Sequence, residues 1–273
     1  MSQISKELHI DINRFSKLLK QEGYQIDYNR NRVSYKKYHV NSNYFNHIDC
    51  EDKAYWFGFL MADGYNSNMY IQLTISKQDI NHMRKYNKSL NSNHPILHRK
   101  IDNTVNVTIS DKQLTNDLRE LGCVRNKTYV DAFPSLENIP RYFMKDFIRG
   151  YFDGDGCIQQ MIISKKQHYK SAKRQINKIS FTIHSKNFSI GLIELIKKLC
   201  NVEAKLYYDS KYNRYEVYIN GQEKIRRFLD YLYKESTIYL DRKYAQYLYY
   251  VLPFDLEIDQ IISAKLSGNV LPD

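Results

Sequence analysis

The chain has 273 residues, 42% hydrophobic and 26% charged, which is enough for one large domain or two ordinary ones and too apolar for a disordered polymer. No run approaches the ~20 apolar residues needed to span a bilayer, and the opening MSQISKELHI lacks the apolar centre of a secretion signal, so neither a membrane protein nor a secreted one is expected. The 41 basic against 30 acidic residues leave a net charge of +11, which favours a polyanionic partner: nucleic acid first, an acidic membrane surface second, with a merely basic soluble protein as the plain alternative.

Residues 1–40 form a first module. Ile4, Leu8, Phe15, Leu18 and Leu19 recur near the helical period, Asp11 is placed to cap a second helix, and Gly23 stands where that helix should stop. Residues 4–24 therefore read as a small helix-turn-helix or an ordinary helical hairpin. Residues 41–52, NSNYFNHIDCED, show no periodicity and read as a linker. Cys50, Cys123, Cys157 and Cys200 are scattered, with no CxxC pair, which argues against a zinc ribbon or a disulfide scaffold and suits a reducing compartment. The 25 tyrosines accompany many Lys, Asn and Ile, all with A/T-rich codons, so their number alone carries no function.

After KAYWFGFLMADGYN (53–66), residues 70–75 alternate as a strand and 77–90 read as a helix. Strands at 96–101 and 104–110 flank the hairpin signal Asp102-Asn103, and a helix at 111–121 ends at Gly122. After RYFMKDFIRGYFDGDG (141–156) the order repeats. A strand runs over 176–184, a helix over 187–200, a hairpin over 203–209 and 214–219, and helices over 222–233 and 241–251. Residues 53–140 and 141–253 are thus two copies of one α+β unit, followed by a tail, 254–273, carrying Asp255, Glu257 and Asp259. Two copies suit a pseudo-two-fold monomer that imitates a symmetric dimer.

The copies align on their glycines with an offset of 92 residues: WFGFLMADG (56–64) over IRGYFDGDG (148–156). Gly58 with Ala62, and Gly150 with Gly154, are four apart and share one helix face, where small residues let two backbones approach closely. Gly64 and Gly156 stand where the helices should end. Asp63 and Asp155 therefore fall at helix C-termini, where the dipole disfavours a carboxylate by ~0.3–1 kcal/mol. Two such ends packed together make electrostatic sense with divalent cations between them. Met61 faces Asp153 in the alignment, so only Asp155 has a carboxylate counterpart.

Both nine-residue blocks resemble the name motif of the LAGLIDADG homing endonucleases, in the single-chain, two-motif branch; the likeness extends through Ala54-Tyr55-Trp56 and Phe147–Gly150 and covers about residues 53–252. Met61 departs from the motif at a position that is not a metal ligand in the family. The resemblance implies a pseudo-two-fold pair of αββαββα repeats with two saddle-like antiparallel sheets and a small helical N-terminal module. It implies metal-dependent hydrolysis of one phosphodiester per strand. Asp63 and Asp155 match the family's catalytic, metal-binding carboxylates, and Ala62 and Gly154 match positions whose backbone carbonyls also bind metal. Oxygen ligands favour Mg²⁺ or a similar hard ion. Lys127 and Lys243 resemble the basic helpers of the two halves, with Arg242 competing for the second place. Lys77 and Ser185, after one strand of each half, are weaker candidates for ordering active-site water.

DNA reading is expected from the outward side chains of the strands: Tyr70, Gln72, Thr74, His98, Lys100, Asn106 and Thr108 in the first half, with Ser110 at the end of its run. In the second half they are Lys178, Ser180, Thr182, His184, Lys205, Tyr207, Arg214, Glu216 and Tyr218, and the basic run Lys165–Arg174 could track phosphates. The expected partner is double-stranded DNA with a long asymmetric target, bound by a monomer without a membrane partner. The expected compartment is the cytoplasm of a bacterial or phage-infected host, or an organellar matrix. The competing readings on the same scaffold are an RNA-splicing maturase acting on intron RNA and a non-cleaving regulator.

Overall fold

A computed structural model of the chain describes residues 11–22, 37–67, 69–124, 138–163 and 173–251. The chain divides into two units, residues 1–37 and 38–273. In the first, α1 (Ile12–Gln21) is capped as expected: the Asp11 carboxylate accepts from the backbone N–H groups of Asn13 at 2.9 Å and Arg14 at 3.2 Å. The expected preceding helix and Gly23 lie outside the described residues.

In the second unit the helix-strand order occurs twice. The first copy runs α2 (Glu51–Asp63), β1 (Gly64–Asn66), β2 (Ile71–Ser76), a short 3₁₀ turn, α3 (Ile80–Ser89), β3 (Leu97–Arg99), β4 (Thr104–Ile109) and α4 (Lys112–Glu120). The second runs α5 (Met144–Asp155), β5 (Gly156–Ile163), β6 (Lys173–Ile183), α6 (Lys186–Cys200), β7 (Lys205–Asp209), β8 (Arg214–Asn220), α7 (Gln222–Tyr233) and α8 (Asp241–Val251). Each copy folds one four-stranded antiparallel sheet, in the orders β1-β2-β4-β3 and β5-β6-β8-β7. The molecule is therefore α+β. β1 and β5 begin directly after the motif aspartates and are the first strands of the αββαββα repeat that the resemblance implied, though the residue pattern had not placed them; Gly64 pairs with Leu73, and Gly156 with Phe181.

Alternation along the strands buries one face of each sheet. Ile71, Leu73, Ile75, Val105, Val107 and Ile109 are buried in the first half, and Ile179, Phe181, Ile183, Val217 and Ile219 in the second. The stretch 41–52 is not a linker. Tyr44, Phe45 and Ile48 join the core, and Glu51 and Asp52 open α2. Those apolar residues follow no regular period, because an irregular segment is laid over the core. The two halves use asparagine for their tight reversals: Asn91 and Asn201 end α3 and α6, and Asn103 and Asn213 turn the hairpins, all with positive φ.

The motif helices α2 and α5 pack backbone to backbone. A Cβ on Gly58 would strike the Phe147 carbonyl and lie 2.9 Å from the Tyr151 nitrogen; one on Gly150 would strike the Tyr55 carbonyl and lie 2.9 Å from the Phe59 nitrogen. Each partner is the other's counterpart at the 92-residue offset, so the contact is made twice in pseudo-two-fold fashion. Gly150→Ala is therefore expected to lower stability by about 1–3 kcal/mol through overpacking, outweighing the ~1 kcal/mol that alanine gains in a helix. The fall appears as a thermal midpoint several degrees lower; an unchanged midpoint would mean the two helices do not meet here.

Candidate active site

The crossing of α2 and α5 carries their C-terminal ends together. At Gly154 a Cβ would strike the Cβ of Ala62 and lie 3.4 Å from Asp63 Oδ2. The Asp63 carboxylate thus sits beside the residue that precedes Asp155. Asp63 is exposed and Asp155 half-buried. Each helix closes with a main-chain bond, from Gly64 N–H to the Leu60 carbonyl and from Gly156 N–H to the Phe152 carbonyl. The strands then leave from the aspartates themselves.

Two side chains of the second half surround this point. Burial, with Asp155 and then Asp63 nearby, pushes the Tyr151 phenol well above its usual pKa, so it stays protonated. Lys243, buried within α8, donates from Nζ to the Phe152 carbonyl and to the Asp153 carbonyl at 2.9 Å. A cation there complements the negative end of α5. Burial lowers the ammonium pKa to about 8, while Asp153, Asp63 and Asp155 oppose that fall. The Leu60 carbonyl, 92 residues before that of Phe152, receives the Cys123 thiol at 3.8 Å among its contacts.

Among the described residues no group of three or more His, Cys, Asp or Glu side chains is placed to hold a metal. The donors at the α2–α5 ends are two carboxylates and main-chain carbonyls. This all-oxygen set fits a hard divalent ion that completes its shell with water and substrate oxygens, and it does not fit zinc.

Residues 143–233 match the LAGLIDADG-like domain family. The match falls within the second of the two copies, and the first copy repeats its element order and sheet topology. No curated protein matches the chain in sequence. Among solved structures, a single-site mutant of I-SmaMI is 12% identical, covers 78% of this chain and 92% of its own, and superposes with a TM-score of 0.51. The I-LtrWI LAGLIDADG homing endonuclease bound to target DNA is 14% identical over 83% and 92% of the two chains, with a TM-score of 0.49. Full-length DUF199/WhiA from Thermatoga maritima is 13% identical over 85% and 66%, with a TM-score of 0.44. At these identities the likeness is one of fold.

The two halves place the other expected residues variously. Lys127 and most of the basic run 165–174 lie outside the described residues. Of the adjacent pair at the start of α8, Lys243 turns inward, while Arg242 turns outward to Asp79 at 3.1 Å. Ser185 caps α6, its hydroxyl accepting from Phe188 N–H at 3.0 Å, and Lys77 is exposed in the turn after β2. On the sheets, His98, Lys100, Thr182, His184, Lys205 and Tyr207 are exposed, and Tyr70, Gln72, Thr74, Thr108, Arg214 and Tyr218 half-buried. Lys178 is also half-buried, pairs with Glu216 at 2.7 Å and lies over the Tyr218 ring. Asn106 and Ser180, expected to face outward for DNA, are buried. Both sit on central strands paired on each side, with Thr74 and Leu97 flanking Asn106, and Cys157 and Tyr218 flanking Ser180.

Sequence reasoning missed a polar core behind the motif. Asp153 is buried and accepts from the Tyr233 hydroxyl at 2.6 Å, the Tyr55 hydroxyl at 2.7 Å and Leu240 N–H at 2.8 Å. Since Tyr55 donates to Asp153, His82 Nε2, at 3.0 Å, is the donor to Tyr55. Burial, with the cations Lys85, Arg242 and Lys243 nearby, keeps His82 neutral. Arg149 is wholly buried and donates to Asp146 at 2.8 Å, Glu51 at 2.7 Å, and the carbonyls of Ile238 at 2.8 Å and Leu232 at 3.0 Å. The available signal was the spacing of Asp146, Arg149 and Asp153, three and four residues apart and so on one helix face.

Proposed function

We propose that this chain is a site-specific double-stranded DNA endonuclease of the homing type, cutting one phosphodiester in each strand across the minor groove. The observation that carries the reading is the convergence of α2 and α5, which sets the Asp63 carboxylate against Gly154, next to Asp155. Helix dipoles oppose such a meeting. A divalent cation such as Mg²⁺, held by Asp63 and Asp155 with the carbonyls of Ala62 and Gly154, would offset that cost and supply charge neutralisation and an activated water at the scissile phosphate.

The chain's own groups do the rest. Lys243 fixes the end of α5 and keeps a positive charge beside the carboxylates. Lys127, in the other half, is its proposed partner. The outward faces of the two sheets lie in successive major grooves of a long asymmetric target, and the +11 charge supports backbone binding. A monomer suffices, since both halves are present in one chain. The site of action is a reducing cytoplasm or organellar matrix.

The test is a randomised duplex library incubated with the protein in Mg²⁺ or EDTA. Cleavage at one recoverable site in Mg²⁺ and none in EDTA is expected. Duplex binding without cutting in either condition would replace this reading by a non-cleaving regulator, and preferential binding of intron RNA would replace it by a maturase.

A further inference from the structure

We infer that Lys85 is a positioning residue, which from the first half fixes the connector that carries Lys243 to the end of α5. The inference rests on the endonuclease reading and goes beyond it. The connector joins α7 to α8, and residues 234–240 lie outside helix and strand. Such a segment has no ladder of its own, so its place is set by the groups it bonds. From Thr237 onward every residue is tied to another element. Thr237 donates to Glu51 from its N–H at 2.8 Å and its hydroxyl at 2.9 Å. The Ile238 carbonyl accepts from Arg149 at 2.8 Å, and Leu240 N–H donates to Asp153 at 2.8 Å. Lys85 Nζ donates to the Tyr239 carbonyl at 3.3 Å and to the Asp241 carboxylate at 2.6 Å. Arg242 pairs with Asp79 at 3.1 Å.

Glu51, Asp79 and Lys85 belong to the first half, so the connector of the second half is held from across the pseudo-two-fold. Lys85 makes two of these bonds, and its ammonium also lies 5.1 Å from the centroid of the Tyr239 ring. That ring stacks at 3.8 Å on Tyr244, the residue after Lys243. Close packing does not fix the connector by itself. A cavity of about 290 Å³ lies between it and the start of α3, with Asp79, His82, Leu240 and Arg242 in its wall. The connector therefore has room to shift once its polar ties are cut. Lys243 would shift with it, away from the Phe152 and Asp153 carbonyls. Misplacing a group by about 1 Å can cost about 10²-fold in rate. The Lys85–Asp241 pair is itself 39% exposed on both sides, and such pairs add little to global stability. Loss of Lys85 should thus show at the site and not in the fold.

The experiment compares wild type with Lys85→Met and Lys85→Arg. Lys197→Met is the control, since it removes an exposed ion pair within the second half, 2.9 Å to Glu203. One measurement is acylation of the buried Lys243 by an amine-reactive ester in the DNA-free protein, read by mass spectrometry. The other is cleavage of the selected duplex in Mg²⁺, with duplex affinity and thermal midpoint measured beside it. Lys85→Met is expected to acylate Lys243 about fivefold faster and to cut about tenfold more slowly, with affinity and midpoint near wild type. Lys85→Arg, which keeps donors for both carbonyl and carboxylate, should restore both readings, and Lys197→Met should change neither. Wild-type labelling and cutting in Lys85→Met would overturn the role given to Lys85 and leave the endonuclease standing. So would slow cutting matched by an equal loss of duplex affinity. A wild-type protein that cuts no duplex would overturn the endonuclease reading, and the labelling alone would then decide whether Lys85 fixes the connector.

Discussion

Asp155→Asn is expected to reduce DNA cleavage by about 10²–10³-fold or more, the range for losing one charge-stabilising group from a preorganised site, while duplex affinity stays close to wild type. Asparagine keeps the shape of the side chain, so the change is one of charge. It removes half of the anionic pair that would hold a cation. The same change relieves a carboxylate at the C-terminal end of α5, a gain of about 0.3–1 kcal/mol at a helix terminus. The variant should therefore melt slightly higher than wild type while cutting far more slowly. That opposition separates a residue kept for chemistry from one kept for folding. Gel-resolved cleavage rates beside thermal melts read both arms, and a variant that cuts at the wild-type rate would remove Asp155 from the mechanism.

Arg149→Leu is expected to cost about 3–5 kcal/mol, the penalty for removing one member of a buried ion pair. The guanidinium is wholly buried, and Asp146 is only 1% exposed. Burial already pushes the Asp146 carboxyl up, and Arg149 is the strongest influence pulling it down. Without Arg149 an uncompensated carboxylate remains inside the protein. Two backbone carbonyls and Glu51 also lose a donor, and Glu51 is the acceptor for Thr237 N–H at 2.8 Å and its hydroxyl at 2.9 Å. The sign with pH follows: acid protonates the stranded Asp146, so the difference from wild type should narrow as pH falls. Arg149→Leu with Asp146→Leu should recover most of the loss, because apolar replacement of a whole buried pair is often neutral. Urea denaturation of the three proteins measures this; a single variant within 1 kcal/mol of wild type, by ~1.4 kcal/mol per decade of equilibrium constant, would show the network to be dispensable.

The motif helices were legible in the sequence because small residues four apart mark a face whatever surrounds them, and because the mark appears twice. α7 and α8 fall at 222–233 and 241–251 as expected, since their apolar residues hold a helical period on one face. β1 is three residues long and opens on a glycine, too short to show alternation. The choice between Arg242 and Lys243 was illegible because neighbours differ by 100° of helix phase, which only packing sets. The Arg149 network was hidden for another reason: its partners Glu51 and Ile238 are brought to it only by the folded chain. Asn106 and Ser180 show the limit of reading a sheet by alternation, which gives the face but not how far neighbours cover it.

The meeting of Gly58 and Gly150 with main-chain atoms has an evolutionary consequence. A joint made of carbonyls and amides is indifferent to which side chains flank it, so long as two small residues keep their spacing. The halves were therefore free to drift apart in almost everything else, to Met61 against Asp153 and Phe59 against Tyr151, without loosening their union. Divergence after duplication is built into such a joint, and each half is left able to acquire a vocabulary of its own.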